Sequence, residues 1–186
     1  MTISMKRRLL YIPVLHIDTN LINARQKLDA VNQLEKWNKE GIVLINMSSI
    51  AHGEAKAGGD EQRSRKADQQ IFTMSQPGDS ADGIYRKIEA ALCPNGAGNE
   101  NQRNDVRIVF EAVKYAAILV TGDGASKSQP GGILGNRDKL KDLVQILSPD
   151  EAVALVQLKI RERDEFNIRV AQEFGGILPA WTGKDD

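Results

Sequence analysis

A single cysteine, Cys93, excludes an internal disulfide. With Pro94 beside it and no histidine nearby, it reads as a structural residue rather than a nucleophile. Charge of neither sign is in excess, because Lys plus Arg and Asp plus Glu both total 25. The net field therefore announces no polyanionic partner, and any nucleic-acid contact has to come from a local patch. No run approaches the ~18 apolar residues of a membrane span. Lys6-Arg7-Arg8 ahead of Leu9 to Leu15 has the outline of a signal peptide. Pro13 interrupts that stretch, His16 ends it, and Asp18 follows where a small-residue cleavage site would stand. A first strand accounts for it better, and a soluble, cytoplasmic protein is expected. His16 and His52 have no partners at metal-ligand spacing, so zinc is not expected.

What remains is a globular composition, 41% hydrophobic and 27% charged, in a chain long enough for one sizeable core. Branched apolar residues from Leu9 to Ile17 read as a buried strand. After Asp18-Thr19-Asn20 a helical stretch opens at Leu21 and Ile22, with Leu28, Val31, Leu34 and Trp37 at helical spacing and a stop at Gly41. Ile42 to Met47 is a second strand, which discounts the Asn46-Met47-Ser48 sequon inside it. Ser48-Ser49 offers cap chemistry for a helix carrying Glu54.

Residues 55–104 are harder to read. Gly58-Gly59, a charged patch from Arg63 to Lys66, Pro77-Gly78 and Asn95 to Asn104 punctuate them. Ile84, Ile88 and Leu92 predict one helix there, while Gln70 to Met74 suits either a short strand or a helix. The Arg63, Arg65 and Lys66 patch reads as a solvated surface, with contact to nucleic acid as the alternative. Asn104 is the expected cap of a helix with Asp105 in its first turn and an apolar stripe through Ile108, Val109, Ala112, Val113 and Ala116.

Ala117 to Thr121 is a strand ending at Gly122-Asp123-Gly124, followed by a Gly- and Ser-rich loop to about Arg137 and a strand over Leu143 to Leu147. Ser148-Pro149-Asp150-Glu151 then combines an N-cap serine, proline at the first helical position and Glu three residues after the cap. That helix runs toward Phe174, with room for one break, and stops at Gly175-Gly176. Alternating strands and helices predict an α/β fold with a mainly parallel central sheet of about four or five strands and helices on both faces. The expected organisation is one domain over residues 1–186, with a long segment 55–104 and a C-terminal helix and tail over 148–186.

In such sheets ligands bind beyond the carboxyl ends of the strands. Asp18 and Asp123 fall at those ends, Glu54 in the helix after the second strand, and Asp105 at the start of the helix feeding the strand before Asp123. Four carboxylates on one edge repel unless a cation neutralises them or some hold protons. Oxygen ligands alone favour a hard ion, Mg²⁺ or Mn²⁺. Each acid also has a plainer reading: Asp18 and Asp123 as turn residues, Asp105 as a partner of the helix dipole, Glu54 on a solvated helix end.

Ile17-Asp18-Thr19-Asn20 after a strand, Ser48 to Glu54 after the next, Asn104-Asp105 through Ala116, and Leu119-Val120-Thr121-Gly122-Asp123 together resemble the PIN-domain family in order and approximate spacing. The resemblance spans roughly residues 9–147. It implies a three-layer sandwich and a metal-dependent nuclease usually acting on RNA, with Asp18, Glu54, Asp105 and Asp123 holding Mg²⁺ or Mn²⁺ and Asn20 and Thr121 supporting them. It also implies, for small members, a toxin blocked by an antitoxin protein and working as a homodimer. The length of 55–104 and the residues beyond about 175 depart from the compact toxin pattern.

Three other readings compete. A DNA nuclease shares similar acids but usually carries additional DNA-binding helices. A phosphatase with Asp after its first strand usually shows a second Asp two residues on, where Asn20 stands. A non-catalytic scaffold would bind metal weakly and engage a partner through 55–104 or the C-terminal helix. Gly122 to Ser128 has a faint P-loop outline, but Ser126 occupies the position that needs glycine before Lys127.

Overall fold

The structure, a computed structural model, describes residues 8–22, 27–70, 82–124 and 130–185, with 69 and 70 as backbone alone. Four strands, β1 (Leu15–Ile17), β2 (Ile45–Met47), β3 (Ile118–Val120) and β4 (Ile146–Leu147), form one parallel sheet in the order β2-β1-β3-β4. Every residue of β1, β2 and β3 is buried, as expected of a parallel sheet covered on both faces. The fold is α/β.

The strands are shorter than the apolar runs that contain them. Before β1 the chain carries Pro13, which has no N–H to give a ladder, and only isolated bonds such as Leu10 N to Ile42 O (2.8 Å) precede it. Residues Leu143 and Val144 bond back to the Leu140 carbonyl as a helical turn instead of extending β4.

Between the strands lie α1 (Asp29–Lys39), α2 (Ser49–Ala57), α3 (Glu61–Gln70), α4 (Gly83–Leu92), α5 (Glu100–Lys114), α6 (Gly132–Gly135) and α7 (Arg137–Leu140). α8 (Pro149–Phe174) follows β4 as one unbroken helix. α1 packs against α8, and α5 packs against α2 and α4. Val31, Leu34 and Trp37 are the buried stripe of α1, and Tyr85, Ile88 and Leu92 that of α4. Where a helical stretch is expected to open at Leu21, the described residues show a 3-10 turn, Thr19–Leu21, and then α1, with Leu28 as its exposed N-cap.

Ser148 and Glu151 form the reciprocal capping box that starts α8, and Gly175 ends it at φ +68°. The chain after α8 returns to α1: Trp37 Nε1 donates to the Asp185 carbonyl (2.8 Å), and the buried Asp185 carboxylate is paired with Arg8 and Arg163. Burial opposes ionisation of Asp185, but those two guanidinium groups outweigh it and hold the carboxyl below the usual range. Among the described residues no helix is long and apolar enough to cross a membrane.

Two expectations are corrected here. The segment after Asp123 is no open loop as far as Arg137, because α6 and α7 occupy 132–140. Gln70 ends α3, while 71–74 and the Ser126 to Ser128 segment lie outside the described residues.

Candidate metal centre

Register decides the heart of this site. Ile17 aligns with Met47 on one side and with Val120 on the other, so the next residues, Asp18 and Thr121, emerge side by side at the carboxyl edge of the sheet. Asp18 is buried there and accepts three hydrogen bonds: Thr19 N on Oδ1 (2.6 Å), Asn20 Nδ2 on Oδ2 (2.8 Å) and Thr121 Oγ1 on Oδ2 (2.7 Å). The Thr121 hydroxyl in turn accepts from Asp123 N (3.0 Å) and Asn20 Nδ2 (3.3 Å). One hydroxyl thus ties the ends of β1 and β3 together.

Glu54 enters from α2. Ser48 caps that helix by accepting from Ala51 N, and two turns on Glu54 faces the same edge. Its carboxylate is held from both sides, by Thr19 Oγ1 on Oε2 (2.7 Å) and by Asn104 Nδ2 on Oε1 (2.7 Å). Asn104 is not the cap that its place in the sequence suggests. Asn99 is, accepting from Gln102 N (2.9 Å), so α5 begins at Glu100. Asn104 and Asp105 therefore sit beyond the first turn. The helix-dipole explanation of Asp105 fades there, and the Asn104 amide is released to hold Glu54.

Asp123 comes from the turn after β3. Its Oδ2 accepts from Ile133 N (2.9 Å) and its carbonyl from Leu134 N (2.8 Å), which moors it to α6. Gly132, at φ +53°, makes this approach feasible: a Cβ there would meet Asp123 Oδ2 and, at 2.7 Å, its carbonyl oxygen.

Asp18, Glu54, Asp105 and Asp123 line one open cavity of about 690 Å³, together with Asn20 and Arg63. Thr121 is buried behind it. Burial, reinforced by the carboxylates of Asp18, Asp123 and Glu54, pushes Asp105 up to about 7. Burial also raises Asp18 to about 6 against the opposing hydrogen bonds of Thr121 and Thr19, with Glu54 and Asp123 adding repulsion. His16, behind the site on β1, is driven down to about 4 by burial and stays neutral.

A carboxylate offers roughly four lone-pair sites. Asp18 uses three on its neighbours, Glu54 two and Asp123 one, while no hydrogen bond reaches Asp105 among the described residues. The unspent capacity is oxygen alone, and no described cation pairs with any of the four acids. That donor chemistry fits a hard divalent cation. In this arrangement, however, no three Asp, Glu, His or Cys residues among those described stand close enough to form a ready cage.

Of the site's residues, Thr19, Asn104, Arg63 and Gly132 escaped the sequence patterns. Thr19 lay within the Asp18-Thr19-Asn20 triplet, and Asn104 was visible only as a cap. Arg63 stood out only as part of a charged patch, with nothing to place it at the cavity, and nothing in the sequence marked Gly132.

No protein-family model and no curated protein matches the chain. Among solved structures it is similar to a chain in the crystal structure of VapBC2 from Rickettsia felis bound to a DNA fragment from their promoter. The likeness has 21% identity, covers 73% of this chain and 98% of that chain, and has a TM-score of 0.47.

Proposed function

We propose that this chain is a Mg²⁺- or Mn²⁺-dependent endoribonuclease that hydrolyses RNA phosphodiester bonds at the cavity between Asp18, Glu54, Asp105 and Asp123. The observation that carries the proposal is the meeting of four acids from four separate segments at one strand edge, two of them held well above the ordinary carboxylate range. The PIN-like order of the segments that carry them supports the same reading. A hard cation, when bound, supplies polarisation of a phosphodiester oxygen and a lowered pKa for water.

The protein's own part is placement. Thr121, Asn20 and Thr19 hold the Asp18 carboxylate in place by three hydrogen bonds. Asn104 and Thr19 fix Glu54, which orients the attacking water. Asp105 keeps all its acceptor capacity for the cation. No side-chain nucleophile is required.

One observation favours a non-catalytic scaffold instead: the absence of a ready three-residue cage among the described residues. A mixed transcript pool separates the two. The purified protein, stripped of any bound antitoxin, should cut single-stranded RNA with Mg²⁺ or Mn²⁺ and stop with EDTA. Asp18→Asn should lose about 100-fold or more, since the amide keeps the shape and removes the charge. Cleavage undiminished in Asp18→Asn would indicate a contaminant, and no cleavage at any metal concentration would favour the scaffold.

A further inference from the structure

We infer that Arg63 is the residue that contacts the substrate phosphate at this site, an inference that rests on the endoribonuclease reading. An RNA backbone approaching four carboxylates is repelled by whatever negative charge a cation leaves uncompensated, and a positive group on the cavity wall lessens that repulsion. Among the described residues lining the cavity, Arg63 is the sole cation.

Its position is built from the sequence upward. Asp60 caps α3 by accepting from Gln62 N (2.9 Å) and Arg63 N (3.1 Å). Ala67, one turn on, is fully buried, and Lys66 of the same helix pairs with Glu35 of α1 (2.7 Å). The helix is thereby fixed with Arg63 toward the cavity. Arg63 Nη2 donates to the Thr19 carbonyl (2.7 Å), the residue between Asp18 and Asn20.

The rest of the guanidinium is uncommitted. Nε is buried without an acceptor, and no described carboxylate lies within 4.0 Å. Neither plain role of an arginine fits. Arg65, on the same helix, is exposed and paired with Glu61, as a solvated helix residue should be. Lys66 is paired with a buried acid, as a balancing charge should be. Arg63 does neither, although it lines the same cavity as four acids. With Nε buried and Nη2 anchored on Thr19, the Nη1 edge of the guanidinium is left to donate to a phosphodiester oxygen in the cavity.

The experiment is binding of mixed-sequence single-stranded RNA in EDTA across a salt series, with KM and kcat in Mn²⁺. Arg63→Gln should weaken binding and lower the slope of log K against log salt by about 0.7, the loss of one phosphate contact on a single strand. KM should rise more than kcat falls. The Mn²⁺-induced rise in melting temperature should stay as in the wild type, which shows that the acids are undisturbed. Arg65→Gln should leave the slope unchanged.

If Arg63→Gln does not melt cooperatively, Arg63→Lys decides. It should keep the wild-type slope but bind more weakly, because the planar guanidinium is lost. Binding by Arg63→Gln, or by Arg63→Lys in its place, equal to that of a wild type that does bind RNA overturns the inference and leaves the proposed function standing. A wild type that neither binds nor cuts RNA overturns both.

Discussion

Thr121 Oγ1 donates to Asp18 Oδ2 across 2.7 Å, joining two strand ends that are 103 positions apart in the chain. The bond does two things at once. It satisfies a buried carboxylate, and it fixes that carboxylate at the mouth of the cavity. Thr121→Val keeps the shape and removes the donor, so the unfolding free energy at pH 7 should fall by about 1–3 kcal/mol in urea titration. RNA cleavage should drop about 10- to 100-fold, less than for Asp18→Asn. An activity unaffected by Thr121→Val would remove this residue from the site.

Asp105 gives the metal-free protein a pH signature. Its carboxyl titrates near 7 in the folded state, against an ordinary value of 3.8. Between those values the folded state holds a proton that the unfolded chain has released. This group's contribution is therefore fully present below about pH 4 and is lost as pH rises through 7. Asp18, at about 6, acts in the same direction. In EDTA, Asp105→Asn should match the wild type near pH 4 and exceed it at pH 8, by about 1–3 kcal/mol once partial exposure is allowed for. Parallel stability curves for the two proteins from pH 4 to 8 would contradict this electrostatic picture.

A cation that relieves the repulsion should stabilise the native state selectively. Mn²⁺ at a hundred times its dissociation constant would add about 2.7 kcal/mol. The melting temperature of the wild type should climb with millimolar Mn²⁺, and that of Asp123→Asn should climb less from an equal or higher starting point. A wild-type melting temperature flat across the titration would count against the metal centre.

Gly132 tests the mooring of Asp123 without touching a carboxylate. At φ +53° an added Cβ is strained in itself and collides with Asp123. Gly132→Ala should cost about 1–2 kcal/mol and blunt the Mn²⁺ response nearly as much as Asp123→Asn. Gly124, next to Asp123, has open space around its Cα, so Gly124→Ala should leave the response intact. Equal behaviour of the two alanine variants would show that α6 does not position Asp123.

The chain after α8 should be held by charge. Asp185→Ala strips the partner from Arg8 and Arg163. Because Arg8 is partly exposed, the cost should be about 1–3 kcal/mol, below that of a fully buried pair. The depressed carboxyl makes this stability present above the ordinary aspartate range and lost as pH falls through the folded value. Urea titrations of the wild type and the variant at pH 7 and pH 3 should differ at the first and converge toward the second.

How much of this was legible beforehand follows from the range of the interactions. Local signals determined the α/β alternation, the Ser48 and Ser148 caps, the stop at Gly175 and the positions of Asp18 and Asp123 after strands. These depend on residues within one turn or one strand of each other. The start of α5 was misplaced because Asn99 and Asn104 are equally good caps in isolation, and only the packed helix selects the first. That selection carried Asp105 out of the dipole's reach and turned Asn104 toward Glu54. The lengths of the strands were likewise set by pairing, which an apolar run does not encode.

The sequence by itself determined which functional groups the chain carries: acids placed after strands and on helices, a single cysteine and no histidine pair. The tertiary structure alone decided which groups share a cavity, because parallel register sets Thr121 beside Asp18 and the packing of α3 sets Arg63 at the Thr19 carbonyl. Burial and mutual repulsion, which raise Asp18 and Asp105, exist only once four distant segments are brought to one edge.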